Sequence, residues 1–303
     1  MPAFYTHLSY GMGLFHNLDS KYLKRIIRSH YNAYRLGTSG PDIFFYDVVS
    51  VGKPGMSQGE RMHRTRTGLF IKNLLEQQNG LTGENRETAI AYTAGFLTHY
   101  LLDCAMHPHV YSRIDAREGS KQKGEHFKLE AALDAYFSRK YLRRYPSLMK
   151  QLPLVYLGRE ERKTVEKILT EAYRKTYPES KLGRNQLKRI MASVYTVMIL
   201  IDDPYGVKEL ALGGLEKVIL GHPFCSPLFV NNNTYDCSEE LWRVFDPVFS
   251  EALVEGERVL NALGHWAELV GMSENASADL EKQLLLLMLG NRSYHTGKEC
   301  ERQ

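Results

Sequence analysis

Apolar residues recur along this chain at steps of three and four. Tyr22, Ile26, Ile27, Tyr31 and Tyr34 form one such stripe, which predicts a helix with Gly37 as its C-cap. Ser39-Gly40-Pro41 then forces a loop. Met62, Leu69, Phe70, Leu74 and Leu75 predict a second helix over about 58–77. A third begins near Glu84 and carries Ile90, Ala94, Leu97, Leu101 and Leu102. Its expected end is His107, because Pro108 disfavours a helical residue before it. A fourth is expected over about 125–142, and Pro146, Pro153 and Pro178 punctuate further helices near 159–175 and 184–201. His-Pro, Ser-Pro and Asn-Asn-Asn mark 221–238 as a loop. A long helix is expected from Ser238, bent or interrupted at Pro247, and a last one over 275–290, with the final dozen residues frayed. Since no alternating strand pattern exceeds a few residues, the expected fold class is all-α, a multi-helix bundle forming a single domain over 1–303.

Composition changes this picture little. Hydrophobic residues are 43% and charged residues 24%, ordinary for a globular chain, and the net charge is only +4. The densest basic run, with Arg139, Lys140, Arg143 and Arg144, reads as a solvated helix face rather than a nucleic-acid or headgroup patch. The cysteines at 104, 225, 237 and 300 include no CxxC pair, which argues against a thiolate-rich zinc site. Cys104 reads as a small core residue, while Cys225 and Cys237 are free to bridge without anything requiring it. No basic segment followed by an apolar run opens the chain, so no signal peptide is read there. The richest apolar run, Leu284 to Leu289, is too short to span a bilayer. A cytoplasmic location is therefore expected, in keeping with reduced cysteines.

The histidines carry more information. Eight of the eleven fall within residues 7–126, at 7, 16, 30, 63, 99, 107, 109 and 126, which concentrates any metal chemistry in the N-terminal half. His99 and Asp103 are four apart on a predicted helix and so share a face one turn apart. His109 follows the expected helix stop, and His126 with Glu130 repeats the histidine–carboxylate device on the next helix. A lone pair of this kind is commonly a surface salt bridge. Here Gly95-Phe96-Leu97-Thr98 and Tyr100-Leu101-Leu102 surround it, and a buried carboxylate needs a partner. Nitrogen and oxygen donors without thiolates suit a catalytic zinc site. Asp42, after the Gly40-Pro41 turn, reads equally as a ligand, a general base or a helix N-cap. His63 and His7, taken alone, read as ordinary surface or core histidines.

The ordered set His7, Asp42, His63, His99, Asp103, His109, His126 and Glu130 resembles the zinc-dependent phospholipase C family. That family has an all-helical fold shared with the fungal single-strand-specific nucleases. The stretch from His99 to Glu130 matches its spacing closely. Gly-Pro-Asp-Ile-Phe-Phe at 40–45 looks like the form found in bacterial members without a secretion signal. The resemblance covers about 1–145, the metal-binding part, and leaves a helical C-terminal part over about 146–303 without a motif. It implies two or three zinc ions. Asp42, His63, His99 and Asp103 would bind one, and His109, His126 and Glu130 a second. A third would use His7, with Asp103 bridging. Secreted members place an amino-terminal tryptophan at the third ion. This chain begins Met1-Pro2 instead, leaving the Pro2 nitrogen or His16 as replacements.

The resemblance implies hydrolysis of phosphoesters. Clustered zinc would lower the pKa of a bridging water, with Asp42 as the catalytic base. Substrates would be phospholipid or another phosphoester, with transient contact at a membrane surface. Phe4, Tyr5, Phe44, Phe45 and Tyr46 either line a substrate pocket or pack the core beside the metals. Two rivals stay open. A nuclease or nucleotidase on the same fold would need a basic groove with stacking aromatics, and none is evident, so nucleic acid is the weaker partner. A non-catalytic helical protein would hold structural metal in closed four-ligand sites.

Overall fold

The computed structural model describes residues 4–47, 56–114, 120–230, 239–273 and 275–300. The helices are α1 (Phe4–Asn17), α2 (Lys21–Ser29), α3 (Tyr31–Gly37), α4 (Gln58–Arg64), α5 (Thr67–Glu76), α6 (Gly83–Tyr111) and α7 (Ser120–Phe137). After them come α8 (Leu152–Val155), α9 (Arg159–Thr176), α10 (Arg184–Leu200), α11 (Val207–Leu220), α12 (Glu239–Gly271) and α13 (Asn275–Leu289). A 3-10 segment covers Gly40–Tyr46. Among the described residues there is no strand, only isolated bridges at Asp202–Val230 and Arg292–Glu299. The all-α expectation holds.

The bundle is organised around α6. From Thr88 to Cys104 every residue of it is buried, so it has no outward polar stripe and must be enclosed. Helices α1, α2, α3, α9 and α12 pack on it. The approach of α3 is the closest, and it depends on two glycines. A Cβ on Gly95 would lie 2.1 Å from the Tyr34 carbonyl oxygen, and one on Gly37 would lie 2.3 Å from that of Tyr92. This contact lays the chain after α3, with Thr38 and Asp42, against the middle of α6.

Several boundaries differ from the sequence expectation. The first predicted helix is two, broken at His30 (φ −118°, ψ 44°), whose ring meets Thr88, Glu87 and Glu161. The helix predicted over 58–77 breaks at Arg66 (φ 52°), where the guanidinium binds the Thr176 carbonyl and Glu179. The stripe of apolar positions runs through both breaks, so periodicity alone did not mark them. The expected stop at His107 is corrected: α6 continues through Pro108 to Tyr111. Only three residues follow the proline, Val110 is buried, and the Ser112 N–H closes on the Pro108 oxygen at 3.2 Å. Pro247 likewise lies inside α12 without ending it. Helices α1 and α11 were not anticipated.

The expected fraying is corrected for residues 292–300, while 301–303 lie outside the described residues. Segment 291–300 folds back, with Tyr294 and Cys300 buried. The Tyr294 N–H donates to the His63 carbonyl (3.1 Å), the Gly68 N–H to Asn291 Oδ1 (3.0 Å), and Arg292 pairs with Glu255 (2.8 Å). These cross-chain bonds, invisible to periodicity, hold the end of the chain against α4 and α5. Cys225 is a free thiol; Cys237 and Ser238 lie outside the described residues. No helix among the described residues is long and apolar enough to cross a membrane.

Candidate metal centre

The unbroken course of α6 sets the site. His99, Asp103 and His107 stand at successive four-residue steps and share one face. The α3 contact brings the Thr38 carbonyl to His99 Nδ1 at 3.0 Å. A carbonyl only accepts, so Nδ1 carries the proton and Nε2 keeps its lone pair. Gly40 (φ +47°) lies flat on the same ring, where a Cβ would be 2.4 Å from its carbons. His63 and His107 are oriented in the same way. Their Nδ1 atoms donate to the carbonyls of Gly59 (2.7 Å) and Tyr294 (3.1 Å). Such backbone anchors are the usual outer support of metal-binding histidines.

Three donor groups result, each with its ligand atoms within 4.8 Å of one another: Asp42, His63 and His99; His7, His99 and Asp103; His107, His126 and Glu130. In the first, His63 Nε2 lies 3.1 Å and His99 Nε2 3.9 Å from Asp42 Oδ1. In the second, His7 Nε2 lies 3.0 Å from Asp103 Oδ1 and His99 Nε2 3.2 Å from Asp103 Oδ2. In the third, His107 and His126 lie 3.4 and 2.9 Å from Glu130 Oε1. Asp103 Oδ2 also comes within 3.8 Å of His63 Nε2 and 3.4 Å of His107 Nδ1, which makes this carboxylate the hub.

The electrostatics follow from the crowding. Burial alone would raise the Asp103 carboxyl, yet His107, His99 and His7 hold it well below the usual range. Asp42 is likewise held at about 2 against its own burial by His99 and His63. Burial lowers His7, while for His107 the pull of Asp103 and Glu130 overcomes burial and raises it to about 9. The residues fit a cation for a more direct reason. His99 Nε2, Asp103 Oδ2 and His7 Nδ1 are fully buried and make no hydrogen bond. His99 Nε2 and Asp103 Oδ2 face each other at 3.2 Å, and the Asp103 and Asp42 carboxylates raise the His99 imidazole against its burial. Unpaired buried polar atoms are costly, and a divalent ion bound by imidazole and carboxylate resolves the facing pair, His99 Nε2 and Asp103 Oδ2.

Seven of the eight residues singled out from sequence meet here. His109 does not: its ring turns to Phe245, with centroids 6.5 Å apart. On a continuous helix it is six residues past Asp103, about two-thirds of a turn out of phase, whereas His107 is in phase. The assumed stop at Pro108 hid this. His16 is exposed at the far end of α1, and Met1 and Pro2 lie outside the described residues. Asp42 sits in the first turn of a 3-10 segment, not at the N-cap of an α-helix.

Two further residues went unread. Asp134, one turn beyond Glu130 on α7, accepts from the Thr6 N–H and hydroxyl (both 2.7 Å) and fixes α1 beside α7. Its burial pushes the carboxyl up to about 8. Its four-residue step from Glu130 was the available signal. His295 comes from the returning C-terminal segment, its ring 5.6 Å from that of His63, and takes a 2.6 Å hydrogen bond with the Tyr111 hydroxyl. Nothing in local spacing announces it.

All members of the three groups except His99 line a cavity of about 940 Å³. Of the five aromatics noted from sequence, Phe4, Tyr5, Phe45 and Tyr46 line it, and Phe44 instead stacks on Tyr173 in the core (5.9 Å). The lining also has apolar residues: Val197 on α10, Ile201 at its C-cap, and Phe224, Leu228, Phe229 and Val230 after α11.

Comparison with curated proteins and comparison with solved structures each give no match. A protein-family model, zinc dependent phospholipase C, matches residues 6–192, a span that contains every member of the three donor groups. With more than half of its length matched, the chain belongs to the zinc-dependent phospholipase C family.

Proposed function

We propose that this protein is a zinc hydrolase acting on phospholipid phosphoesters, with the reaction at the floor of the cavity. The observation that carries the reading is the convergence of buried, unbonded nitrogen and oxygen atoms on the polar wall of a cavity that is otherwise largely apolar. Asp42, His63, His99 and Asp103 would hold one ion, His107, His126 and Glu130 a second, and His7 with Asp103 a third. When bound, zinc supplies Lewis-acid chemistry: it brings the pKa of water towards neutrality and offsets phosphate charge.

The chain's own residues divide the remaining work. The side chains of Asp103 and Glu130 are 5% and 4% exposed, so they serve as enclosed ligands. All three line the cavity, and Asp42, at 21% exposed, is the most open of them. It is ionised across the neutral range and is placed to accept a proton from an attacking water. Thr38, Gly59 and Tyr294 hold the imidazoles in their ligating tautomer through the carbonyls. The wall formed by Val197, Ile201, Phe224 and Leu228 excludes water and offers apolar surface to the glyceride part of a lipid. That lining favours phospholipid over a nucleic acid, which would call for a charged groove.

The test combines metal analysis with hydrolysis of phosphatidylcholine and of a simple aryl phosphodiester. The expected result is two or three zinc ions per chain, turnover of the lipid, and loss of activity on chelation that zinc restores. Fewer than two ions with neither substrate turned over would sink the reading.

A further inference from the structure

Helix α11 is turned inside out. Val207, Leu210, Ala211, Leu215 and Val218 recur at three- and four-residue steps, the apolar stripe that normally faces a core. Here the stripe faces away from the protein: Leu210 is 79% and Val218 85% exposed, and Ile219 stands beside them. The residue turned inward is an acid. Glu216 is buried and accepts the backbone N–H groups of Phe224 (2.8 Å), Cys225 (2.6 Å) and Ser226 (3.1 Å). The orientation is therefore locked by specific bonds. An apolar helix face left in water at this extent marks an interaction surface.

We infer that α11 is an interfacial helix that seats the protein on an anionic phospholipid bilayer, at the mouth of the cavity. The inference rests on the phospholipid reading above and adds where the lipid surface is met. Continuity with the cavity carries it. Ile199 and Leu200, at the end of α10, are exposed, and they alternate with Val197 and Ile201, which line the cavity. On its other side α11 runs directly into the cavity-lining segment from Phe224 to Val230. The stripe thus adjoins cavity-lining residues on both sides: α11 packs on the Ser226–Leu228 segment, and Lys208 Nζ binds the Leu200 and Asp202 carbonyls at the end of α10.

Charge selects the partner. The exposed charges of α11 are Lys208 and Lys217, whereas Glu216 is withdrawn and Glu209 is half-buried. Lys121 and Lys123 are exposed on the first turn of α7, beside Pro223 and Phe224. Apolar side chains flanked by lysines suit an acidic lipid surface, where each nearby lysine adds attraction. A second copy laid face to face would instead oppose lysine to lysine.

The experiment is flotation of the full-length, zinc-loaded protein with vesicles of phosphatidylcholine and phosphatidylglycerol. The wild-type protein is expected to float. Leu210→Ser combined with Val218→Ser should lower the bound fraction by about tenfold or more, since two large apolar side chains no longer enter the lipid. The same double variant should keep full turnover of a water-soluble phosphodiester. Leu287→Ser, at an equally exposed apolar position on α13, should leave flotation unchanged. A wild-type protein that stays with the aqueous phase overturns the inference, as does a double variant that floats like wild type. So does a dimer in sedimentation that the double variant splits while vesicle binding is nil, an outcome that gives the face to a second copy. Asp103→Asn protein should float normally. A protein that floats through α11 yet hydrolyses no lipid would defeat the phospholipase reading and leave the docking surface standing.

Discussion

Helices α6 and α11 break the same rule in opposite directions. Helix α6 carries carboxylate and imidazole into the core, where Asp103 and His99 are buried. Helix α11 carries an apolar stripe out into water and turns a glutamate inward. Neither arrangement is what folding alone selects, because a buried unpaired ion and an exposed apolar face both cost free energy. Each helix is also pinned against relaxing: α6 by the α3 contact, α11 by the bonds to Glu216. The lesson is that departures from hydrophobic-in, polar-out patterning locate function when the surrounding bonds show that the departure is maintained.

The comparison breaks most easily at Asp103. If this carboxylate is the hub that its four histidine neighbours suggest, Asp103→Asn removes charge from two ion positions at once. Hydrolysis should fall by more than about 100-fold, beyond the range seen for losing an outer partner of a ligand, and zinc per chain should drop. Retention of both activity and metal would mean that α6 buries its acid for stability alone. A smaller effect distinguishes the two histidines flanking Pro108. His107→Ala should weaken zinc binding by about tenfold or more, while His109→Ala should leave it unchanged. The reverse order, read by competition with a chelating dye, would restore the helix stop and move the second ion to His109.

That pair also shows what was legible in the chain. The four-residue steps at His99/Asp103 and His126/Glu130 do bring each pair into contact, at 3.2 and 2.9 Å, because side chains one turn apart must share a face. His107 was not read as a donor because proline's local preference ends the helix there, whereas packing holds Val110 and His107 in helical register. The breaks at His30 and Arg66 have the same origin: each is stabilised by side chains distant in sequence, Glu161 and Glu179. His295 was illegible for a still simpler reason. Nothing within a helical turn of it reports that the end of the chain returns to α4.

Metal removal gives a further, milder separation of the two helices. In the zinc-free protein Asp103 and Glu130 outweigh burial and raise His107 to about 9, above the ordinary histidine value. A raised folded-state pKa stabilises the fold fully below about pH 6.5, and that contribution fades as pH climbs through about 9. Thermal unfolding of the stripped protein should therefore move to lower temperature between these limits. If His107 holds zinc it does so as a neutral ligand, and with zinc bound the slope should vanish. An equal slope with and without zinc would detach His107 from the second ion. No such slope should come from α11, whose ionisable side chains do not face the centre.

The smallest expected effect tests whether the two helices differ in what they contribute to stability itself. Leu97 lies on α6, fully buried between the α3 contact and the ligands. Leu97→Ala should cost about 2–5 kcal/mol in denaturant unfolding, the range for truncating an enclosed leucine. On α11, Val218→Ser replaces a side chain already in water, and the change should stay within about 0.5 kcal/mol. If Val218→Ser instead destabilised the isolated protein by more than about 1 kcal/mol, the stripe would be packing against something in solution, and its exposure could no longer be read as a surface kept for a lipid partner. A near-zero cost combined with lost vesicle binding is the signature of a residue retained for contact rather than for folding, the counterpart on the outside of what Asp103 is within.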